Sequence, residues 1–422
     1  MKPMRQELMH GVYLTYLQDR KFKTGYISAQ FMMPVTVETV GMNALLAAVL
    51  RRGTARYPDM VSLSAALDQL YGARIDYSLQ RKGECQCIGF TAGFIDDAYA
   101  LGGEKILEPV AELVGQLICE PATKNGRFIA AYVESERTNL IDAIRSQIND
   151  KREYAYYRLL AEMCRGEAYG IAPLGEEKFV SKITVPKLYS YYQNLLADTP
   201  LELFYCGSAP LERVKRAFLD AFSALPRRNI GTVDAAPLHA PRGEMQYVEE
   251  SMDVTQGKLS MGFSCTSDDM PAMVMANLLF GGSSNSKLFL NVREKLSLCY
   301  YASSAYHRSK GIITVSSGIE TENYQKAFDE IMAQLKAVQQ GELEDWELEG
   351  ARSVALNGFR TISDSQGRIV NFYLGQLATG SSENQEDLIR AMEQVTLDRV
   401  LAAANTITPD TVYFLKGREA VQ

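Results

Sequence analysis

Apolar residues along this chain form short strand-like runs and longer helical stretches, and the order in which they occur repeats. "TGYISAQFMMP" (24–34) is rich in strand formers and predicts a strand. The spacing that follows predicts helices over about 38–52 and 60–71. "ARIDYSLQR" and "ECQCIGFTAGF" are two further strand-like runs, and the "RKGE" between them reads as a hairpin turn with Gly83 at positive φ. Helices are expected over 96–197, then a strand at "LELFYCGS" (201–208) and a helix over 210–223. The stretch "ALPRRNIGTVDAAPLHAPRGE" (224–244), with three prolines and two glycines, has the composition of an extended linker.

Beyond the linker the sequence of events recurs. "QGKLSMGF" (256–263) echoes "TGYISAQF" (24–31), with Gly, Ser and Phe in the same places. A helix at "AMVMANLLFGG" takes the place of "MNALLAAVLRRG", and the strand "CYYASSAYH", the turn "SKG" and the strand "IITVSSGI" follow in order. Helices then fill 321–406, and a strand, "TVYFLKG", ends the pattern. We read two copies of one α+β unit of roughly 200 residues. Each copy is expected to hold a mostly antiparallel sheet with helices on one face. The boundaries are drawn at 1–223, 224–244 for the linker, and 245–422.

Composition narrows the function. The chain has 422 residues, 46% apolar and 23% charged, ordinary values for a globular protein with a large core. A net charge of −7 gives no support to nucleic-acid binding or to an anionic membrane surface. The first thirty residues show no signal-peptide pattern, and no run approaches the roughly 20 apolar residues of a membrane span. Seven scattered cysteines without a CxxC pair read as buried free thiols in a reducing cytoplasm. Cys85 and Cys87 alternate in a strand and are expected on one face. The three histidines, His10, His239 and His307, are far apart in sequence, so no helix offers two imidazoles four residues apart to a metal.

The segment "LLFGGSSNSKLFLNVREKLSLCYYASS" (278–304), the "RRGT" turn after the first helix, the "SERTNLIDAIRSQIND" helix and the duplicated unit together resemble the M16 metallopeptidases, the insulinase and mitochondrial-processing-peptidase group. The resemblance covers nearly the whole chain. It implies that the first helix should carry His-x-x-Glu-His just before the Gly-Thr turn, placing two zinc ligands and a general base on one helix. Counting back from Gly53-Thr54, the two histidine positions fall on Ala44 and Ala48, and the glutamate on Ala47. The third ligand position, seven residues after Glu136 of the Glu136-Arg137 pair, falls on Ala143. A methyl group can neither coordinate zinc nor accept a proton, so no metal or other cofactor and no peptidase activity are expected of this chain alone. Asp142 and Glu136, without an imidazole, would make a poor zinc site.

The resemblance assigns substrate binding to Arg293 and Tyr300, where the family has a paired Arg and Tyr that donate to a peptide backbone. Ser297 departs from the family, which often has Gly before the Leu-x-Tyr. The expected role is that of an inactive subunit that pairs with a zinc-bearing M16 homologue and helps it hold an extended peptide. The alternative is a homodimeric peptide-binding or scaffold protein with no peptidase role. Ser284-x-x-Lys287 has the SxxK spacing of a serine nucleophile but lacks the companion motifs. Trp346 lies in an acidic stretch that reads as a solvated helix face.

Overall fold

The computed structural model describes residues 3–417. They form two compact units. The first unit holds a six-stranded sheet built from β1 (Met4–Met9), β2 (Val12–Gln18), β3 (Thr24–Pro34), β4 (Arg74–Lys82), β5 (Cys85–Ile95) and, after the two-residue hairpin of β6 (Thr123–Lys124) and β7 (Arg127–Phe128), β8 (Leu201–Gly207). Its order is β1-β2-β8-β3-β5-β4. The second unit holds β9 (Gln246–Met252), β10 (Gly257–Cys265), β11 (Cys299–His307), β12 (Ile312–Ile319) and β13 (Ile407–Gly417) in the order β11-β12-β10-β13-β9. β3 and β10 thus take equivalent central places, and β8-β3-β5-β4 matches β13-β10-β12-β11. The parallel pairings are β2 with β8 and β13 with β9; the other neighbours in the two sheets are antiparallel. The α+β expectation and the repeat therefore hold.

The period of two along each strand decides what it buries. On β3, Ile27, Ala29, Phe31 and Met33 enter the main core, together with Ile88, Phe90 and Ala92 of β5 and Leu201, Leu203 and Tyr205 of β8. The alternate residues Met32, Cys85, Cys87 and Phe204 form a second core on the opposite face of the sheet. Cys85 and Cys87 do share a face, and burial pushes the Cys85 thiol up to about 11 and the Cys87 thiol further still. The turn between β4 and β5 has Gly83 at φ 61, as its sequence requires.

Two expectations need correction. Helices do not keep to one face. The helix Gln366–Thr379 lays Val370, Leu374 and Ala378 on the second core of the first sheet. Helix α5 (Lys151–Met163) does the same for the second sheet, packing Ala155 and Leu159 on Tyr413 and Leu415, and Leu160 and Met163 around Ile312. Nor is the division linear. Residues 146–172 belong to the second unit and residues 365–381 to the first, so boundaries at 1–223 and 245–422 misplace both segments. The physical reason is the same in each case: an amphipathic helix buries its apolar stripe wherever an open apolar sheet face exists.

The first hairpin and β9 were not legible as strands. β1 is an edge strand of exposed and half-buried residues, and β9 alternates the two. The linker is pinned at its start by Arg227, which donates to the carbonyls of Leu196 (2.6 Å), Gly11 (2.7 Å), Thr199 (2.8 Å) and His10 (3.1 Å). Among the described residues, no helix is long and apolar enough to cross a membrane.

Candidate functional site

Helix α1 (Val40–Leu50) is buried along nearly its whole length. Ala44 and Ala47 lie in the core, and Ala48 is half-buried. Asn43, fully buried, is the polar member of the helix. Its Nδ2 donates to Gln86 Oε1 (2.8 Å), and its Oδ1 accepts from the Tyr191 hydroxyl (2.6 Å). The "RRGT" turn then reverses the chain. Thr54 N–H donates to the Tyr57 carbonyl (2.7 Å), and a Cβ at Gly53 would sit 2.5 Å from that same oxygen. Glycine is therefore required there by close backbone approach.

Beside this turn stands helix α4 (Ala130–Ser146), which follows α2 (Met60–Gln69) and α3 (Leu107–Cys119) in the chain. Arg52 Nη1 donates to Glu136 Oε1 at 2.8 Å, and its guanidinium lies over the Tyr132 ring. Glu136 Oε2 accepts from Asn139 at 3.2 Å. Both oxygens of the Glu136 carboxylate are thus engaged. Ala143 is exposed, about two turns further along α4 on the same face. Asp142 is exposed, with Arg145 4.0 Å away. His10 faces solvent and contacts the Arg228 carbonyl. The set Ala44, Ala47, Ala48 and Ala143 offers no lone pair to a metal and no base to a water.

In the second unit, Arg293 lies near the end of a π-helical stretch, Leu288–Lys295, over the Phe289 ring and 3.5 Å from Glu294. Tyr300 is 69% exposed on β11, an edge strand. Cys299 pairs with Ile319 and Tyr301 with Gly318, so Tyr300 is the extra residue of a bulge. Between Arg293 and Tyr300, Ser297 adopts φ 50, one of three non-glycine residues at positive φ among those described. The left-handed turn is kept without the glycine that would relieve it. Lys287 Nζ donates to buried Glu347 at 2.9 Å, which removes it as the base of an SxxK pair. Trp346 is exposed, while its neighbour Glu347 is not.

One cluster escaped the sequence. His239, in the linker stretch, is buried, and held as imidazolium it donates through Nδ1 to Glu167 Oε1 (2.6 Å) and through Nε2 to Asp410 Oδ2 (3.1 Å). Its pKa is raised well above the histidine range, first by Asp410, then by Cys164 and Glu167. Burial pushes both carboxyls up, but Lys310 and His239 hold Glu167 below its usual range, and His239 and Thr411 do so for Asp410. Arg242 approaches Asp410 at 3.2 Å, and Lys310 pairs with Glu167. Cys164 and Glu167 are three residues apart, but His239 and Asp410 lie 75 and 246 positions beyond Cys164, so no local spacing joins the cluster as a whole.

Residues 182–354 match the family model described as the peptidase M16 inactive domain. The chain is 33% identical over 413 residues to the "Probable inactive metalloprotease YmfF" of Bacillus subtilis, covering 97% of this chain and 96% of that one. The structure resembles that of a conserved protein from Enterococcus faecalis, with a TM-score of 0.90, 26% identity and 99% of each chain covered. A peptidase M16 inactive domain from Pseudomonas fluorescens shares the fold, with a TM-score of 0.79 at 15% identity over the whole of both chains.

Proposed function

The chain belongs to the M16 peptidase family as an inactive member, and we propose that it is the substrate-holding subunit of a two-chain peptidase whose partner carries the zinc. The observation that carries this reading is the exposed Tyr300 on the bulged edge of β11, with Arg293 close before it in the chain. The free side of an edge strand offers backbone donors and acceptors to an extended peptide, giving affinity with little demand on sequence. A guanidinium and a phenol beside that edge can both donate to peptide carbonyls. Loss of the ligands at Ala44, Ala48 and Ala143 and of the base at Ala47 costs such an assembly nothing if the partner supplies them.

The test is peptide hydrolysis by a zinc-bearing M16 homologue from the same organism, with and without this chain. We expect activity to appear or rise only in the mixture, and to fall when Arg293→Ala or Tyr300→Phe replaces the native chain. An unchanged rate in the mixture and no complex by sedimentation would reject the reading and leave a self-associating scaffold.

A further inference from the structure

We propose that Cys164, Glu167 and His239 form a site for one divalent transition-metal ion of zinc-like preference, which staples the linker to helix α5. The three ligand atoms lie within 4.8 Å of one another, the only such set of three among the described residues. A thiolate, an imidazole and a carboxylate suit zinc or cobalt, whose tetrahedral bonds of about 2.0–2.3 Å place donor atoms roughly 3.3–3.7 Å apart. Shifts of about an ångström close the set around an ion.

The surroundings supply what such a site needs. Asp410, with no exposed surface, accepts from His239 Nε2 and is fixed in turn by Arg242 and Thr411. A carboxylate on one imidazole nitrogen turns the other nitrogen toward a metal and strengthens it as a ligand. Lys310 holds the second oxygen of Glu167, leaving Oε1 on the His239 side. On binding, the Cys164 S–H and His239 Nδ1–H bonds break, bonds from metal to sulfur, nitrogen and oxygen form, and two protons leave to solvent. Two protons are exchanged for two metal charges, so the charge of this buried cluster does not change. That balance matters where Lys310 and Asp410 are already buried ions.

The ligands come from two segments of the second unit. Cys164 caps α5, Glu167 opens the turn after it, and His239 lies in the linker, with Asp410 behind it on β13. The ion would be structural, and it is unrelated to the emptied zinc position on α1. The inference does not rest on the proposed pairing with another subunit.

The full chain, treated with chelator and kept reduced, would be titrated with Co2+. We expect one equivalent to bind, with a near-ultraviolet thiolate-to-cobalt band and displacement by Zn2+. Cys164→Ser should abolish the band, and Cys299→Ser should leave it. Asp410→Asn should weaken binding by roughly 10–100-fold while the band remains. A folded native chain with no such band, or a band that survives Cys164→Ser, overturns the proposal. If Cys164→Ser does not fold, unchanged affinity in Asp410→Asn overturns it instead.

Discussion

Arg52 and Glu136 meet at 2.8 Å just past the end of α1, an ion pair that ties the turn after that helix to helix α4. Glu136 is largely shielded, with a side-chain exposure of 14%. Removing one partner leaves the other charge poorly solvated. Arg52→Met is therefore expected to destabilise the first unit by about 1–2 kcal/mol, and Arg52→Met with Glu136→Gln by less than the sum of the two single changes. A double-mutant cycle by denaturant unfolding measures this. Strictly additive changes would show that the pair contributes nothing.

Putting the zinc motif back should fail. Ala44 and Ala47 are packed in the core, and imidazole or carboxylate groups there overfill it. Ala44→His with Ala47→Glu and Ala48→His is expected to lower stability by at least about 2 kcal/mol and to give no peptide hydrolysis. Thermal unfolding and zinc content of the purified variant check it. A stable, zinc-loaded, active variant would show that α1 has kept room for the chemistry.

Ser297 carries the opposite expectation. At φ 50 a residue with a Cβ is strained, and glycine is not. Ser297→Gly is expected to stabilise the protein by about 0.5–1 kcal/mol after the extra entropy of the unfolded chain is deducted. Ser297→Val should cost more than Ser297→Gly gains. A rise in Tm for the glycine variant is the result to look for, and a fall would mean that the turn is held by the serine itself.

His307 sets an acid limit on the second unit. Burial lowers its pKa to about 4, and Nε2 contacts Thr314 Oγ1 at 2.9 Å between the rings of Tyr156 and Tyr169. The unfolded chain binds this proton near pH 6.5, and the folded chain binds it only near pH 4. The contribution is thus fully present above pH 6.5 and is lost as pH falls toward 4, because the unfolded state then holds more protons. His307→Gln should flatten stability between these values, by roughly 1–2 kcal/mol relative to the native chain. Unfolding at pH 7.0 and pH 4.5 compares them.

Local pattern was enough for β3, β4, β5 and β8 and for helix α1, though not for β1, β2 and β9. The alternation of Ile27, Ala29, Phe31 and Met33 with Met32 reports two buried faces, and the Gly83 and Gly311 turns report hairpins. Alanine at 44, 47, 48 and 143 is plain in the sequence, and its side chain offers a metal no ligand. What the pattern could not say is which surface each apolar stripe would meet. Helix α5 and the helix Gln366–Thr379 look like any amphipathic helices, yet each packs into the unit built mainly from the other half of the chain. The cluster of Cys164, Glu167, His239 and Asp410 likewise exists only after α5 and the linker have docked in the second unit. The reason is physical. Periodicity along a chain fixes which side chains leave water, whereas their partners are chosen by long-range packing, which joins residues that no local spacing relates.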